Sequence, residues 1–257
     1  DTTICFIKIG FIPATVKAAI TTNNDIKTLG LLEVDGRNHK IDGTLISNTG
    51  TFGIWTTQTL TQSGASTIGG TNLGVDIAPA KTGNEAIIKT SQPWPGGYPS
   101  SPDSILGGPA NGYPEGTLKA VAQSGINGSQ YCTNPSTLHY PLTGVTYVEL
   151  PNGDVTGMNI QGSGTLIVHN TSLNAKMKNL NFGTFTGLMI ADDIIHIHTN
   201  IIGALIGLSP HPSEGNTIGN GDGIVKYSSK AILMATNLAP GSLTNGGSMS
   251  KVVAWIE

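Results

Sequence analysis

Short apolar runs recur behind glycines between Gly162 and Leu208: Gly164-Thr-Leu-Ile-Val168, Gly187-Leu-Met-Ile190 and Gly203-Ala-Leu-Ile206. The first two glycines stand 23 residues apart and the last two 16, with Asn, Thr, Ser and Asp filling the intervals. Apolar runs this short, bounded by turn formers, indicate strands rather than helices. Their recurrence indicates similar strands stacked on one another. A Gly-x-Leu pattern also starts at Gly30 and Gly43, so residues 30–46 and the later stretch are expected to share one β body.

Elsewhere the pattern is more mixed. Val145-Thr-Tyr-Val-Glu-Leu150 alternates and then turns at Pro151-Asn-Gly153, and Thr51–Thr61 reads as a polar strand region around Trp55. Asp35-Gly36 is a hairpin-type dipeptide. Ala14–Ile20 fits a short helix after Pro13 or a strand, and Ser229–Met234 a strand or a short helix. The tail Met249–Ile256 has strand character and is expected to close the sheet, and Gly215–Gly223 is a glycine loop. Ser63–Tyr113 is dominated by Gly-Gly pairs and prolines, yet Trp94, Tyr98 and Tyr113 favour an ordered loop packed on the main body. Helices are expected at Pro102–Leu106 and at Glu115–Gln123, the second stopping at Ser124-Gly125. The predicted fold is mainly β: stacked short strands in a solenoid-like or sandwich-like body. Residues 1–24 form an apolar entry segment, and residues 25–257 a single domain with a loop-rich insertion at about 63–124.

Composition strengthens the β reading. Charged residues are only 11% of the chain against roughly 25% in an average domain. Thr, Ser, Asn and 35 Gly supply the polarity instead. Helices would need Glu, Lys and Arg on their wet faces. A net charge of −3 with no basic patch excludes a nucleic-acid partner. Ile4–Ile12 is apolar but broken by Lys8 and Gly10 and closed by Pro13, too short for a membrane span. The Asp1 start is read as a processed chain. An uncharged Thr/Asn/Gly-rich composition suggests an extracellular or cell-surface setting. There Cys5 and Cys132 would form one disulfide, the alternative being two unpaired buried thiols. Asn127-Gly-Ser129 and Asn170-Thr-Ser172 match the glycosylation sequon.

Candidate chemistry is sparse. In a strand His196 and His198 would share a face and, with Asp192, Asp193 or His169, hold a transition metal. The competing reading is a polar surface row whose neighbours Ile195 and Ile197 face the core. Asn220-Gly-Asp222-Gly223 resembles part of a calcium loop but lacks its carboxylate run, so a plain turn is the simpler reading. No cofactor is expected beyond a weakly held calcium or transition-metal ion. Paired carboxylates for glycoside chemistry are not evident: Asp192 and Asp193 are adjacent, and Asp42, Asp76, Asp103 and Glu149 are scattered. No nucleophile elbow or phosphate loop is present, so the chain is expected not to be an enzyme. Trp55, Trp94 and Tyr98 suit sugar stacking or a core.

At Gly125-Ile-Asn-Gly-Ser-Gln-Tyr131, Gly144-Val-Thr-Tyr-Val-Glu-Leu150 and Gly187-Leu-Met-Ile-Ala-Asp-Asp-Ile-Ile-His-Ile-His198 the chain resembles bacterial secreted proteins of the PilX-like or hypothetical pilus-assembly group. Pro212–Asn220 and Asp35–His39 belong to the same likeness, which covers most of residues 14–235. That group has a pilin-like hydrophobic helix before an Ala-Thr-Val-like segment. Ala14-Thr-Val-Lys17 matches the segment, but no such helix is read in the residues before it. The resemblance implies an appendage protein and carries over no catalytic residue.

The function expected from these readings is a non-enzymatic extracellular structural subunit of a filament, pilus or surface appendage, a homo-oligomer or homopolymer. Little charge is available to block strand edges. The expected subunit contacts are the apolar terminal strands: Ile4, Phe6, Ile9, Phe11 and Ile12, with Val252, Val253, Trp255 and Ile256. The alternatives are an adhesin binding a glycan or cell-surface partner through the Ser91–Tyr113 loop, and a carbohydrate-active β-helix enzyme.

Overall fold

A computed structural model of the protein describes residues 10–151, 154–155, 159–180, 183–211 and 220–238. The strands are β1 (Ala18–Thr22), β2 (Ile26–Gly30), β3 (Glu33–Asp35), β4 (Asn38–His39), β5 (Leu45–Ile46), β6 (Phe52–Thr56), β7 (Leu60–Gln62), β8 (Thr67–Asn72), β9 (Val75–Ala80) and β10 (Ile88–Lys89). Further along come β11 (Gln130–Cys132), β12 (Val145–Glu149), β13 (Asp154–Val155), β14 (Gly162–His169), β15 (Lys176–Leu180), β16 (Thr184–Ala191), β17 (Asp193–Ile197), β18 (Asn200–Gly207), β19 (Asn220–Gly221) and β20 (Ile224–Tyr227). The helices are α1 (Pro102–Ile105), α2 (Thr117–Ser124) and α3 (Ser229–Ala235).

The architecture is a parallel β-solenoid. Successive coils place their strands directly over one another on three faces. The first face stacks the leading halves of β14, β16 and β18, then β20, β3 and β8. The second stacks β11, β12, the trailing halves of β14, β16 and β18, then β1, β6 and β10. The third runs β13, β15 and β17, continuing through β19, β2 and β7. Gly164, Gly187 and Gly203 are partners in register and form the corner between the first two faces. Their φ angles are 110°, 147° and 149°, and a Cβ at each would overlap the carbonyl oxygen of the glycine one coil earlier, Gly144, Gly164 or Gly187. The recurring glycine is thus a packing requirement, because only a residue without Cβ turns this corner at rung spacing.

The coil below β18 is built from two distant parts of the chain. Asn200–Gly203 of β18 pairs with β20, while Leu205–Gly207 pairs with β1. Residues 18–89 therefore extend the stack away from this coil in one direction, and residues 130–227 approach it from the other. Residues 90–129 carry the chain back between the two ends. This crossover lies over the second face: Tyr98 donates its hydroxyl to Thr21 O at 3.4 Å, Thr15 to Ile105 O at 2.7 Å, and α2 packs on β11 and β12. The second face is buried on both sides, which is why its strands read as continuous apolar runs. α3 covers β14, β16 and β18, and Thr165 donates to Ala235 O at 3.1 Å.

Several local expectations shift. Ser63–Tyr113 contains β8, β9 and β10 and so supplies rungs as well as loop. Asp35-Gly36 is not a hairpin. Gly36 and Gly50 pinch the base of an excursion, and the hairpin is β4–β5, turning at Asp42-Gly43 with Lys40 N–H bonded to Thr44 O at 2.8 Å. Ala18–Thr22 is strand, Ser229–Ala235 is helix, and the two crossover helices fall where expected, α2 ending at the left-handed Gly125. The tail 249–256 and residues 215–219 of the glycine loop lie outside the described residues. Among the described residues no helix is long and apolar enough to cross a membrane.

Candidate functional site

Three polar or aromatic groupings and one contact between Phe11 and Thr236 stand out. The first lies at the trailing ends of the second-face strands, where Glu149 and His169 are register partners. His169 Nδ1–H donates to Asp192 Oδ1 at 2.6 Å, and Asp192 Oδ2 accepts from the backbone N–H of Asn170 at 2.9 Å and of Ala175 at 3.1 Å. Asp192 is fully buried and clasps the turn that follows β14. Of the predicted metal ligands, Asp192 is thus bound to His169, while His198 Nδ1 pairs with Asp222 Oδ1 at 2.9 Å on the exposed side of the next coil. That pairing holds the Asp222 carboxyl below its ordinary range. His196 takes a left-handed φ of 61°, so the two-residue alternation that would align it with His198 is interrupted. Ile195 and Ile197 are buried, as the amphipathic reading expects. Among the described residues no three His, Cys, Asp or Glu side chains converge to hold a metal.

The second grouping anchors the crossover. Lys119 Nζ on α2 meets Glu149 Oε2 at 2.6 Å, and the Tyr131 hydroxyl donates to the same oxygen at 2.5 Å. Lys119 lies 5.4 Å from the Tyr131 ring centre. The hydrogen bonds from Lys119 and Tyr131 hold the Glu149 carboxyl below its usual range. Asp103 accepts from Gly116 N–H and Leu118 N–H, both at 2.9 Å, at the start of α2. Burial nevertheless pushes its carboxyl up to about 6. This network was not evident in the sequence, where Asp103 and Glu149 looked scattered. Its signal was the coil interval: Gly144 to Gly164 and Glu149 to His169 are both 20 residues, and Gly164 to Gly187 and His169 to Asp192 both 23.

The third grouping is aromatic. Trp94 sits edge-on to Trp55 at 5.2 Å and to Tyr98 at 5.0 Å, with Lys17 at 5.5 Å from the Trp94 ring centre. These rings hold the crossover on β1 and β6, and burial raises the Tyr98 hydroxyl pKa. Cys132 is half-buried on β11, and its proposed partner Cys5 lies outside the described residues. Asn170 of the second sequon is buried with its amide bonded to Leu150 O at 2.7 Å, whereas Asn127 of the first is exposed.

Finally, the two ends of the described region meet. Phe11 N–H donates to Thr236 Oγ1 at 2.9 Å, and the Thr236 hydroxyl lies 2.7 Å from Phe11 O. Of the predicted subunit contacts, Phe11 is half-buried against Tyr113 and Ile12 is exposed, while Ile4, Phe6, Ile9, Val252, Val253, Trp255 and Ile256 lie outside the described residues. No protein-family model, no curated protein and no solved structure matches the chain.

Proposed function

We propose that the protein is a non-enzymatic structural subunit of an extracellular filament, pilus or other surface appendage, as the PilX-like resemblance implies. The observation that carries this reading is the hydrogen-bonded pairing of Phe11 with Thr236, which brings together the two ends of the described region; in the sequence the apolar Ile4–Ile12 and Val252–Ile256 lie at its two flanks. The solenoid body itself offers poor edges for polymerisation. At one end β9 folds back antiparallel on β8 and carries Pro79, which has no N–H to donate; at the other the edge strand β11 is only three residues long. We assign self-association to Ile4–Ile12 and Val252–Ile256 rather than to the rungs. Negative-stain electron microscopy of the purified chain and of a fragment containing residues 10–238 tests it. Filaments are expected from the full chain alone. A full chain that stays monomeric at high concentration, or a fragment that polymerises equally well, would falsify the reading.

A further inference from the structure

The outer side of the first face carries a cleft of about 350 Å³ that the assembly reading does not use. It is lined by the tip of the β4–β5 hairpin, Ile41, Asp42 and Gly43, and by Thr184, Asn200, Ile202, Ile224 and Lys226 from three consecutive coils. Register places Thr184, Asn200 and Ile224 in one row and Thr186, Ile202 and Lys226 in the next. In-register rows in a parallel stack repeat at about 4.8 Å. The hairpin overhangs these rows, a Cβ on Gly43 standing 3.9 Å from Ile202 Cδ1.

Three isoleucines add apolar surface here, where the neighbouring coils present Ser163 and Thr186. Ile41 is 46% exposed, and Ile202 and Ile224 are half-buried. Around the apolar floor stand groups of complementary hydrogen-bonding character. Asp42 is exposed, and its carboxyl is held below the ordinary range chiefly by the Thr44 backbone N–H, so it is an ionised acceptor at neutral pH. Lys226 is a donor, and the exposed Asn200 and Thr184 do both. An apolar floor with a few converging polar groups is the usual composition of a small-ligand site, and the volume falls at the lower end of the usual range.

We propose that this cleft binds a hexopyranose unit of a neutral glycan. The C–H face of the ring lies on Ile202 and Ile224, and its hydroxyls bond to Asn200, Thr184, Lys226 and Asp42. A pyranose matches the site because it pairs an apolar face with a rim of neutral donors and acceptors. Thr184 and Asn200, register partners one rung apart along the solenoid axis, offer two neutral hydrogen-bonding groups to adjacent ring hydroxyls. A zwitterionic peptide could also use Asp42 and Lys226, but it would leave the neutral pair Asn200 and Thr184 without a matching function. The site is separate from the Trp94 loop and does not depend on polymerisation.

The test uses the full chain in titration calorimetry and saturation-transfer NMR against cellotetraose, chitotetraose, maltotetraose and mannotetraose, with the dipeptide Ile-Lys as control. Saturable binding to at least one oligosaccharide is expected. Asn200→Ala and Asp42→Asn, both at exposed positions, should each weaken it by about tenfold, the effect of losing one hydrogen bond involving a charged or well-placed group. Trp94→Ala should leave affinity unchanged. Circular dichroism of each variant separates lost binding from lost folding, and Ile41→Glu provides a second, surface-only disruption. Absence of binding to all four oligosaccharides, binding indifferent to the folded cleft variants, or binding of Ile-Lys in their place overturns the proposal.

Discussion

Asp35 and Asp103 are both almost inaccessible to solvent, and their surroundings drive them in opposite directions. Burial raises the Asp35 pKa, but hydrogen bonds from His39 and Arg37 outweigh it and leave the carboxyl at about 2. Arg37 holds it in a fork, Nε to Oδ1 at 2.9 Å and Nη2 to Oδ2 at 2.7 Å. Its folded pKa lies below the unfolded value, so its stabilisation is present above about pH 4 and is lost as pH falls towards 2. The size is about 2–3 kcal/mol. For Asp103 burial wins, and the carboxyl stands at about 6 despite two backbone donors. Here the folded state holds the proton more tightly, so this group's contribution is greatest below about pH 4 and declines by about 2–3 kcal/mol as pH rises to 6. Urea unfolding from pH 2 to 7 should show stability rising to near pH 4 and then falling. Asp103→Asn should flatten the fall, and Asp35→Asn should reduce the rise, leaving the part due to other depressed carboxyls such as Glu149. An unchanged slope between pH 4 and 6 in folded Asp103→Asn would refute the assignment. At this scale, the burial of Ile195 and Ile197 was legible from alternation, whereas His196 was not, because a single left-handed φ rotates a side chain without changing the pattern of residue types.

At the scale of the element, the corner glycines decide whether β14, β16 and β18 can each serve two faces. Alanine at Gly187 would have to adopt a φ of 147° and place its Cβ on the carbonyl of Gly164. Gly187→Ala is expected to destabilise by at least about 3 kcal/mol, combining backbone strain with displacement of the adjoining rung. Gly74→Ala is the control: φ is 76°, but nothing lies within 4 Å of the added carbon, so only about 1 kcal/mol of left-handed strain is expected. Equal losses in thermal or urea unfolding would mean that conformation alone, and not the close stacking of coils, selects glycine at the corner. This element-level logic was legible because the glycine and its apolar run recur in the sequence. The β8–β9 hairpin was not. Gly69, Gly70 and Pro79 read as loop punctuation, yet Gly69 and Gly70 lie where backbone and side chains of neighbouring segments leave no space for a Cβ, and Pro79 stands on an edge strand.

The whole molecule is a stack whose spatial order differs from its chain order. β1 lies on β18 and β3 on β20, although 185 residues separate the paired Ile20 and Leu205. Local pattern identifies strands but carries no information about a neighbour reached only after the 90–129 crossover, so this arrangement could not be read from the sequence. It has a direct consequence. Residues near Phe11 and Thr236 are hydrogen-bonded, so Gly10 and Leu238 can be joined by a short Gly/Ser linker, while the exposed Gly96-Gly97 step in the crossover can be opened. The resulting circular permutant runs from Gly97 through the coils of β11 to β20, and then through those of β1 to β10, so that chain order and stacking order coincide. Its rung contacts are those of the native body, and the edge-on Trp94–Tyr98 contact spans the new ends without a covalent bond. One cooperative unfolding transition within about 2 kcal/mol of the fragment 10–238 is expected. Two separate transitions would show that the halves below and above β18 do not form one cooperative stack. Because the permutant lacks residues 1–9 and 239–257, it should also remain monomeric at concentrations where the full chain assembles. Filaments formed by the permutant would move the assembly surface from the chain ends to the solenoid itself.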